Sequence, residues 1–321
     1  MKQKEILLFG ATGQIGRNLI RKLTKNNYKV IAVTRNIHKA GYILKTQANP
    51  GYLELVELNN FEIDKIENLM KRASICINLI GILYEKKKDE FKLIHSDLPA
   101  LLSKKANEFK LEKFIHLSAL GIEKASDSKY ALSKLEGEKR IKENFNKYII
   151  IKPSIVYSVD DKFSTKFMSL LSVLPIMPLY YNGKTKFSPI HVSDIVELIF
   201  NLIKYPEKNL VLECVGPEEM TFKKMIQNIL ISIGKKRLLF PMPYPLAKLT
   251  AKFFQLLPNP LLTEDQLTML KYDNCKSENY KNNLDLGYMP KKKFEIEIKK
   301  YSFNWKSGGQ FNTQFTQDKS K

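Results

Sequence analysis

Apolar residues in the first half of the chain form short continuous runs, separated by stretches in which they recur every three or four positions. Ile6-Leu7-Leu8-Phe9 is the first run, and Ile15 to Leu23 repeats at helical spacing. Lys29–Thr34 reads as a second strand and Leu53–Leu58 as a third. Phe61–Ala73 has a helical period, Ile75–Ile80 is a fourth strand, and Asp89–Phe109 reads as one long helix. Lys113–Leu117 is a fifth strand, Tyr130–Phe145 a helix, and Tyr148–Ile151 opens a sixth strand. Continuous apolar strands between amphipathic helices predict a parallel sheet covered on both faces. Right-handed crossovers then give an α/β, doubly wound Rossmann sheet.

The rhythm changes after Pro153. Prolines cluster from Pro175 to Pro260, and helical pieces remain at Asp194–Lys204 and Phe222–Ile233. We therefore expect residues 1–155 to form an NAD(P)-binding Rossmann domain, with a strand near 190–215 returning to it. Residues 156–306 would form a smaller α+β region closing over the nucleotide cleft. Residues 307–321, polar and aperiodic, are expected to be a disordered tail. Within 245–257, Leu246, Leu249, Phe253, Leu256 and Leu257 share one helical face, while Lys248, Lys252 and Gln255 lie off it. Such a helix is too short to span a bilayer; it either packs into its own domain or docks on a partner or membrane surface.

The junction of the first strand and helix carries the clearest chemistry. Phe9-Gly10-Ala11-Thr12-Gly13-Gln14-Ile15-Gly16 places three glycines at G-x-x-G-x-x-G spacing. Gly10 would make the tight turn, Gly13 would let the backbone approach a pyrophosphate, and Gly16 would let the helix pack close to the sheet. Thr12, Gln14 and Ile15 complete the cradle, whose N–H groups and helix dipole face the anion. Arg35 follows the second strand where NAD-preferring proteins carry an acidic residue, and with Thr34 and Arg17 it suits a 2′-phosphate. The expected cofactor is thus NADP(H), with NAD(H) the alternative. Asn59, after the third strand, is placed at the adenine edge, and Asn78 to Gly81, after the fourth, under the nicotinamide ribose.

Tyr130 and Lys134 form a Y-x-x-x-K on a predicted helix. An ammonium one turn away lowers a phenol's pKa, so the phenol can exchange a proton with a carbonyl or alcohol, and the same Lys134 can hold the ribose. Seven of the 15 tyrosines have a Lys four residues on, so the pattern alone says little. Only Tyr130/Lys134 lies on the helix after the fifth strand, and position carries the inference. Ser118 is the candidate for polarising a substrate carbonyl, with Ser126 and Ser128 as loop alternatives. His95, His116 and His191 lie in apolar patterns and read as satisfied core residues.

Composition narrows the picture. The 321 residues carry a formal charge of +20, mostly from Lys. That charge makes either a solvated Lys-rich surface or an attraction to lipid headgroups or an acidic partner. No helix-turn-helix, RNP or zinc pattern accompanies the charge, so nucleic acid is not expected. Cys76, Cys214 and Cys275 have no metal-ligand spacing; they read as reduced thiols, and no metal site is expected. The first strand follows directly on Met-Lys-Gln-Lys, which is read as leaving no signal or transit peptide. The expected location is cytoplasmic, or peripheral on the inner face of an energy-transducing membrane.

The quoted segments, with Ile115 to Gly121, Ser128 to Lys134, Gly137-Glu138 and Lys152 to Tyr157, resemble the extended, atypical short-chain dehydrogenases. Leu174 to Leu179, Thr185 to Asp194, Gly216-Pro217-Glu218, Pro258 to Leu267 and Asp273-Asn274 are most similar, within that superfamily, to the NADPH-binding accessory subunits of respiratory complex I and their bacterial homologues. The resemblance covers about residues 4–300. It implies bound NADPH, a retained Y-x-x-x-K, an otherwise incomplete active-site set, and a structural role where the peripheral arm meets the membrane. The implied partners are complex I-type subunits and the membrane surface. Tyr157-Ser158 departs from the Phe/Tyr-Gly of many relatives, and the tail past 307 matches nothing in the family. Two functions follow as alternatives: an accessory or assembly subunit that holds NADP(H) without turnover, or an active NADP-dependent oxidoreductase, epimerase or dehydratase on a sugar-nucleotide, sterol or isoprenoid carbonyl.

Overall fold

A computed structural model describes residues 4–255, 260 and 262–309. The described residues divide into two compact units: those within 4–153, 192–214 and 276–288 form the first, and those within 154–191, 215–275 and 289–309 the second.

The first unit is built on β1 (Glu5–Phe9), α1 (Gln14–Lys25), β2 (Lys29–Thr34), α2 (Ile37–Lys45), β3 (Leu53–Glu57), α3 (Ile63–Arg72), β4 (Ile75–Asn78), α4 (Leu98–Glu108), β5 (Lys113–Leu117), α5 (Lys129–Asn144) and β6 (Tyr148–Pro153). The chain returns to it from the second unit with α7 (Val192–Lys204), β11 (Leu210–Cys214) and β14 (Lys281–Asn282). The eight-stranded sheet runs in the order β14-β11-β6-β5-β4-β1-β2-β3, with all pairings parallel. The order reverses beside β1, which places the β1–α1 and β4 termini at the switch point where such sheets bind ligands. Ile6, Leu7, Leu8, Phe9, Cys76, Ile77, Phe114 and Ile115 have no or almost no exposure, as strands covered on both faces require.

The second unit contains β7 (Val156–Tyr157), α6 (Ser164–Val173), β8 (Ile176–Tyr180), β9 (Lys186–Phe187), β10 (Ile190–His191), β12 (Met220–Thr221), α8 (Phe222–Ile233), β13 (Leu238–Met242), α9 (Tyr244–Gln255), α10 (Glu264–Met269) and α11 (Phe294–Glu297). Its three small sheets are pairs, β7–β10, β9–β12 and β8–β13. Tyr157, Met168, Phe222, Met225, Ile229 and Phe294 form its main core.

Two expectations need correction. The run from 89 to 109 is not one α-helix: Lys92–Asp97 is a π-helical turn that leads into α4. Segment 276–288 belongs to the first unit, beyond the boundaries drawn from sequence, because two-residue β14 is too short to show a period. Of the face read in 245–257, Leu256 and Leu257 lie outside the described residues, as do 310–321 of the expected tail.

Candidate functional site

The glycine junction folds as its spacing requires. Gly10 has φ +81°, and a Cβ there would stand 2.9 Å from the Leu79 carbonyl carbon. A Cβ on Gly16 would lie 2.3 Å from the Gly10 oxygen, so α1 can approach β1 only without a side chain. Gly13 differs. It is exposed, and its Cβ would meet only the Gly10 oxygen at 3.4 Å, an ordinary contact. Packing does not demand a glycine at 13, whereas close approach of a ligand to the backbone does. Gly13 is also the N-cap of α1, no side chain caps the helix, and its first turn holds no acidic residue. The start of α1 thus offers backbone donors and positive dipole to an anion. Thr12 is exposed, Gln14 half-buried, and Ile15 is turned into the core at 7% exposure. This cradle fits a dinucleotide pyrophosphate.

The structure sorts the remaining cofactor candidates. Arg35 is exposed at the end of β2, beside buried Thr34, whose Oγ1 lies near the Asn36 backbone. Asn59 donates to Glu57 Oε1 at 3.2 Å, and Glu57 Oε2 accepts from Ile37 N–H at the start of α2. That backbone hydrogen bond holds the Glu57 carboxyl below the usual range. Glu57, opposite Thr34 in the β2–β3 register, is an acidic neighbour the sequence reading missed. It is committed to α2, whereas Arg35 is exposed at this strand end. Gly81 is exposed, and its missing Cβ would stand 3.3 Å from Lys134 Nζ.

Tyr130 and Lys134 lie one turn apart on α5, whose N-cap Ser128 accepts from Ala131 N–H. Lys134 is 3% exposed, and its Nζ donates to the Leu117 carbonyl at 3.1 Å. Burial pulls its pKa down to about 8, opposed by the Glu138 carboxylate. His95, set aside from sequence as a core residue, bears on this pair directly. Its ring lies edge-to-face with Tyr130 at 5.2 Å between centroids, and stacks on Phe91. Ile82 N–H donates to His95 Nε2 at 3.1 Å, which puts the ring proton on Nδ1. Nδ1 then donates to Ser133 Oγ at 2.9 Å, and Ser133 donates to the Tyr130 carbonyl at 2.7 Å. Burial, with the nearby Lys134 charge, drives the His95 pKa down to about 2, so it is a neutral wedge against Tyr130. The π turn presents it there, a common use of such irregular turns.

Ser118 has a different use from the carbonyl-polarising one expected of it. Its Oγ donates to Glu138 Oε1 at 2.5 Å, and both residues are buried. Glu138 Oε2 in turn accepts from Lys152 Nζ at 3.0 Å. Lys152 has no exposure, also pairs with Glu123, and lies over the Tyr280 ring at 4.7 Å. Burial opposes its charge, but Glu138 and Glu123 hold its pKa above the ordinary lysine value. The sequence showed Glu138 only as part of a family motif; its i+4 spacing from Lys134 was the available signal. Ser126 is exposed and Ser128 is the helix cap. Among the described residues no His/Cys/Asp/Glu group could hold a metal, and no helix is long and apolar enough to cross a membrane.

Comparison with known proteins extends the resemblance. Mouse NADH dehydrogenase [ubiquinone] 1 alpha subcomplex subunit 9 is 26% identical over 94% of this chain and 81% of its own length. The 40 kDa subunit of Neurospora crassa NADH-ubiquinone oxidoreductase is 23% identical over 88% and 75%. Caulobacter vibrioides ceramide reductase is 24% identical over 75% and 74%. In structure, UDP-glucuronic acid 4-epimerase from Bacillus cereus, solved with UDP-glucuronic acid and NAD, superposes at TM-score 0.68 with 16% identity, covering 94% of this chain and 99% of that one. The NAD dependent epimerase/dehydratase family matches residues 6–213. With the glycine cradle, the β1/β4 switch point and the Tyr130/Lys134 helix inside that span, the chain belongs to the NAD-dependent epimerase/dehydratase family.

Proposed function

We propose that this chain is a dinucleotide-holding accessory or assembly subunit of a complex I-type NADH:quinone oxidoreductase, structural rather than catalytic, with NADP(H) preferred over NAD(H). The observation that carries the non-catalytic reading is Ser118. The cradle and the Tyr130/Lys134 pair are intact, but the hydroxyl that would polarise a substrate carbonyl donates to buried Glu138. The assembly reading rests on the mouse and Neurospora relatives, whose similarity runs through both units. Exposed Arg35, with Glu57 committed to α2, supports recognition of a 2′-phosphate.

The second unit supports a place against a partner or a membrane surface. Helix α9 buries only Ala247 and Ala251, and turns Leu246, Leu249 and Phe253 outward at 46%, 65% and 67% exposure. This is the reverse of a helix packed by its apolar face. No Asp or Glu occurs between Asp161 and Asp194, nor between Glu219 and Glu264, although these stretches carry eleven Lys and Arg. Acid-poor segments and the outward apolar side chains of α9 suit an anionic bilayer face beside a membrane-bound assembly.

Purification from native membranes tests the reading. The protein should travel with NADH:quinone oxidoreductase subunits and release NADP(H) on denaturation. A chain that stays apart from that complex contradicts the assignment. The second reading, an active oxidoreductase, is favoured by one observation, the Tyr130/Lys134 pair with a depressed ammonium pKa beside it. It requires Tyr130→Phe to abolish turnover while dinucleotide binding is kept.

A further inference from the structure

The Lys152, Glu123, Glu138 and Ser118 network has no part in gripping a pyrophosphate, yet it is buried and charged, a costly arrangement unless it serves something. Its geometry leads to Lys134. Glu138 stands one helical turn after Lys134 on α5, so the two side chains share a face. Consecutive residues at the end of β5 hold them both: the Leu117 carbonyl accepts from Lys134 Nζ at 3.1 Å, and Ser118 Oγ donates to Glu138 Oε1 at 2.5 Å. Lys152 fixes the other carboxylate oxygen at 3.0 Å.

We propose that Glu138 is a positioning residue for the dinucleotide site: its carboxylate, tied to Ser118 and Lys152, is the counter-charge on the same helix face that holds the Lys134 ammonium aimed at the nicotinamide ribose. The inference rests on the dinucleotide reading above. Around Lys134 stand Tyr130 and Glu138 from its own helix, His95 from the π turn and His116 from β5; both histidines are neutral by burial, and the Leu117 carbonyl and Gly81 add nothing that titrates. Glu138 is thus the favourable charge opposing desolvation of the ammonium.

The test is a pH titration of the full-length protein labelled with 15N-lysine, the Lys134 signal assigned by its loss in Lys134→Met. Glu138→Gln should lower the Lys134 midpoint by about one pH unit. Glu138→Asp, which keeps the charge but withdraws it by one methylene, should lower it by less. NADPH affinity of Glu138→Gln should match wild type within about twofold at pH 6, where Lys134 is protonated in both, and be about fivefold weaker at pH 8. An unmoved Lys134 midpoint overturns the inference, as does an affinity loss that is equal at both pH values. Should Glu138→Gln not fold, the Glu138→Asp midpoint decides. Wild-type protein that does not bind NADPH refutes the dinucleotide reading separately, and the midpoint still decides the role of Glu138.

Discussion

The backbone carbonyl of His95 occupies the space where a Gly137 side chain would stand; a Cβ at Gly137 would lie 1.8 Å from that oxygen. The π turn and α5 therefore meet backbone to backbone, and this contact seats the His95 ring against Tyr130. Gly137→Ala must push the two elements apart. We expect a loss of about 3 kcal/mol in chemical denaturation, the upper range for overpacking. Dinucleotide affinity should fall with it, because Lys134 and Gly81 face each other at the same place. An Ala variant as stable as wild type would contradict this packing.

Acid should destabilise the fold before carboxylates titrate broadly. His95 and His116 are both held neutral, chiefly by burial, with pKa values below the ordinary 6.5. The unfolded chain takes up protons below pH 6.5 that the folded chain refuses, so stability is complete above that pH and falls as pH drops. Each pH unit below 6.5 costs about 1.4 kcal/mol per such histidine. Urea midpoints between pH 7 and 5 should decline, and His95→Gln should flatten the decline. A profile unchanged by His95→Gln would show that the ring is accessible to protonation.

Lys134 should be a stability liability kept for binding. Its ammonium pKa falls from 10.5 to about 8 on folding. The penalty is absent above pH 10.5, grows as pH falls towards 8, and is complete below 8. At pH 7 that amounts to about 3 kcal/mol, less the hydrogen bond to Leu117. Lys134→Met should raise the melting temperature of the ligand-free protein while weakening NADPH binding at least tenfold. A destabilised Met variant would contradict the balance drawn here.

Most of the sheet was legible because period and burial agree along it: β2 and β5 begin and end where the apolar runs do. The glycine junction was legible for the same reason that it works, since only glycine fits at 10 and 16. Ser118 was not legible. Its partner Glu138 comes from a different element, and no periodicity records which way a strand-end hydroxyl turns. The π turn at Lys92–Asp97 was hidden because its apolar spacing still reads as helical. Helix α9 misleads in another way: its amphipathic pattern is real, but small Ala247 and Ala251 meet the core and the large residues face out.

Substitutions on that outward face separate docking from folding. Leu249→Glu with Phe253→Glu should leave the melting temperature within about 1–2 °C, since neither side chain is buried. The double variant should lose co-sedimentation with membranes and with the quinone-reducing complex. Retained association would assign docking to another surface.

The central claim is that backbone amides at the β1–α1 junction grip a diphosphate, and Gly13 tests it most directly. Its Cβ would meet only the Gly10 oxygen, at an ordinary 3.4 Å, so Gly13→Ala should fold with wild-type stability, whereas Gly16→Ala, with its Cβ 2.3 Å from that oxygen, should not. Calorimetric titration of wild type and Gly13→Ala with NADPH and NADH is the measurement. The account predicts that wild type binds NADPH more tightly than NADH and that Gly13→Ala loses at least tenfold in affinity for both. Wild-type protein that binds neither dinucleotide, or a Gly13→Ala variant that binds as wild type does, would contradict it.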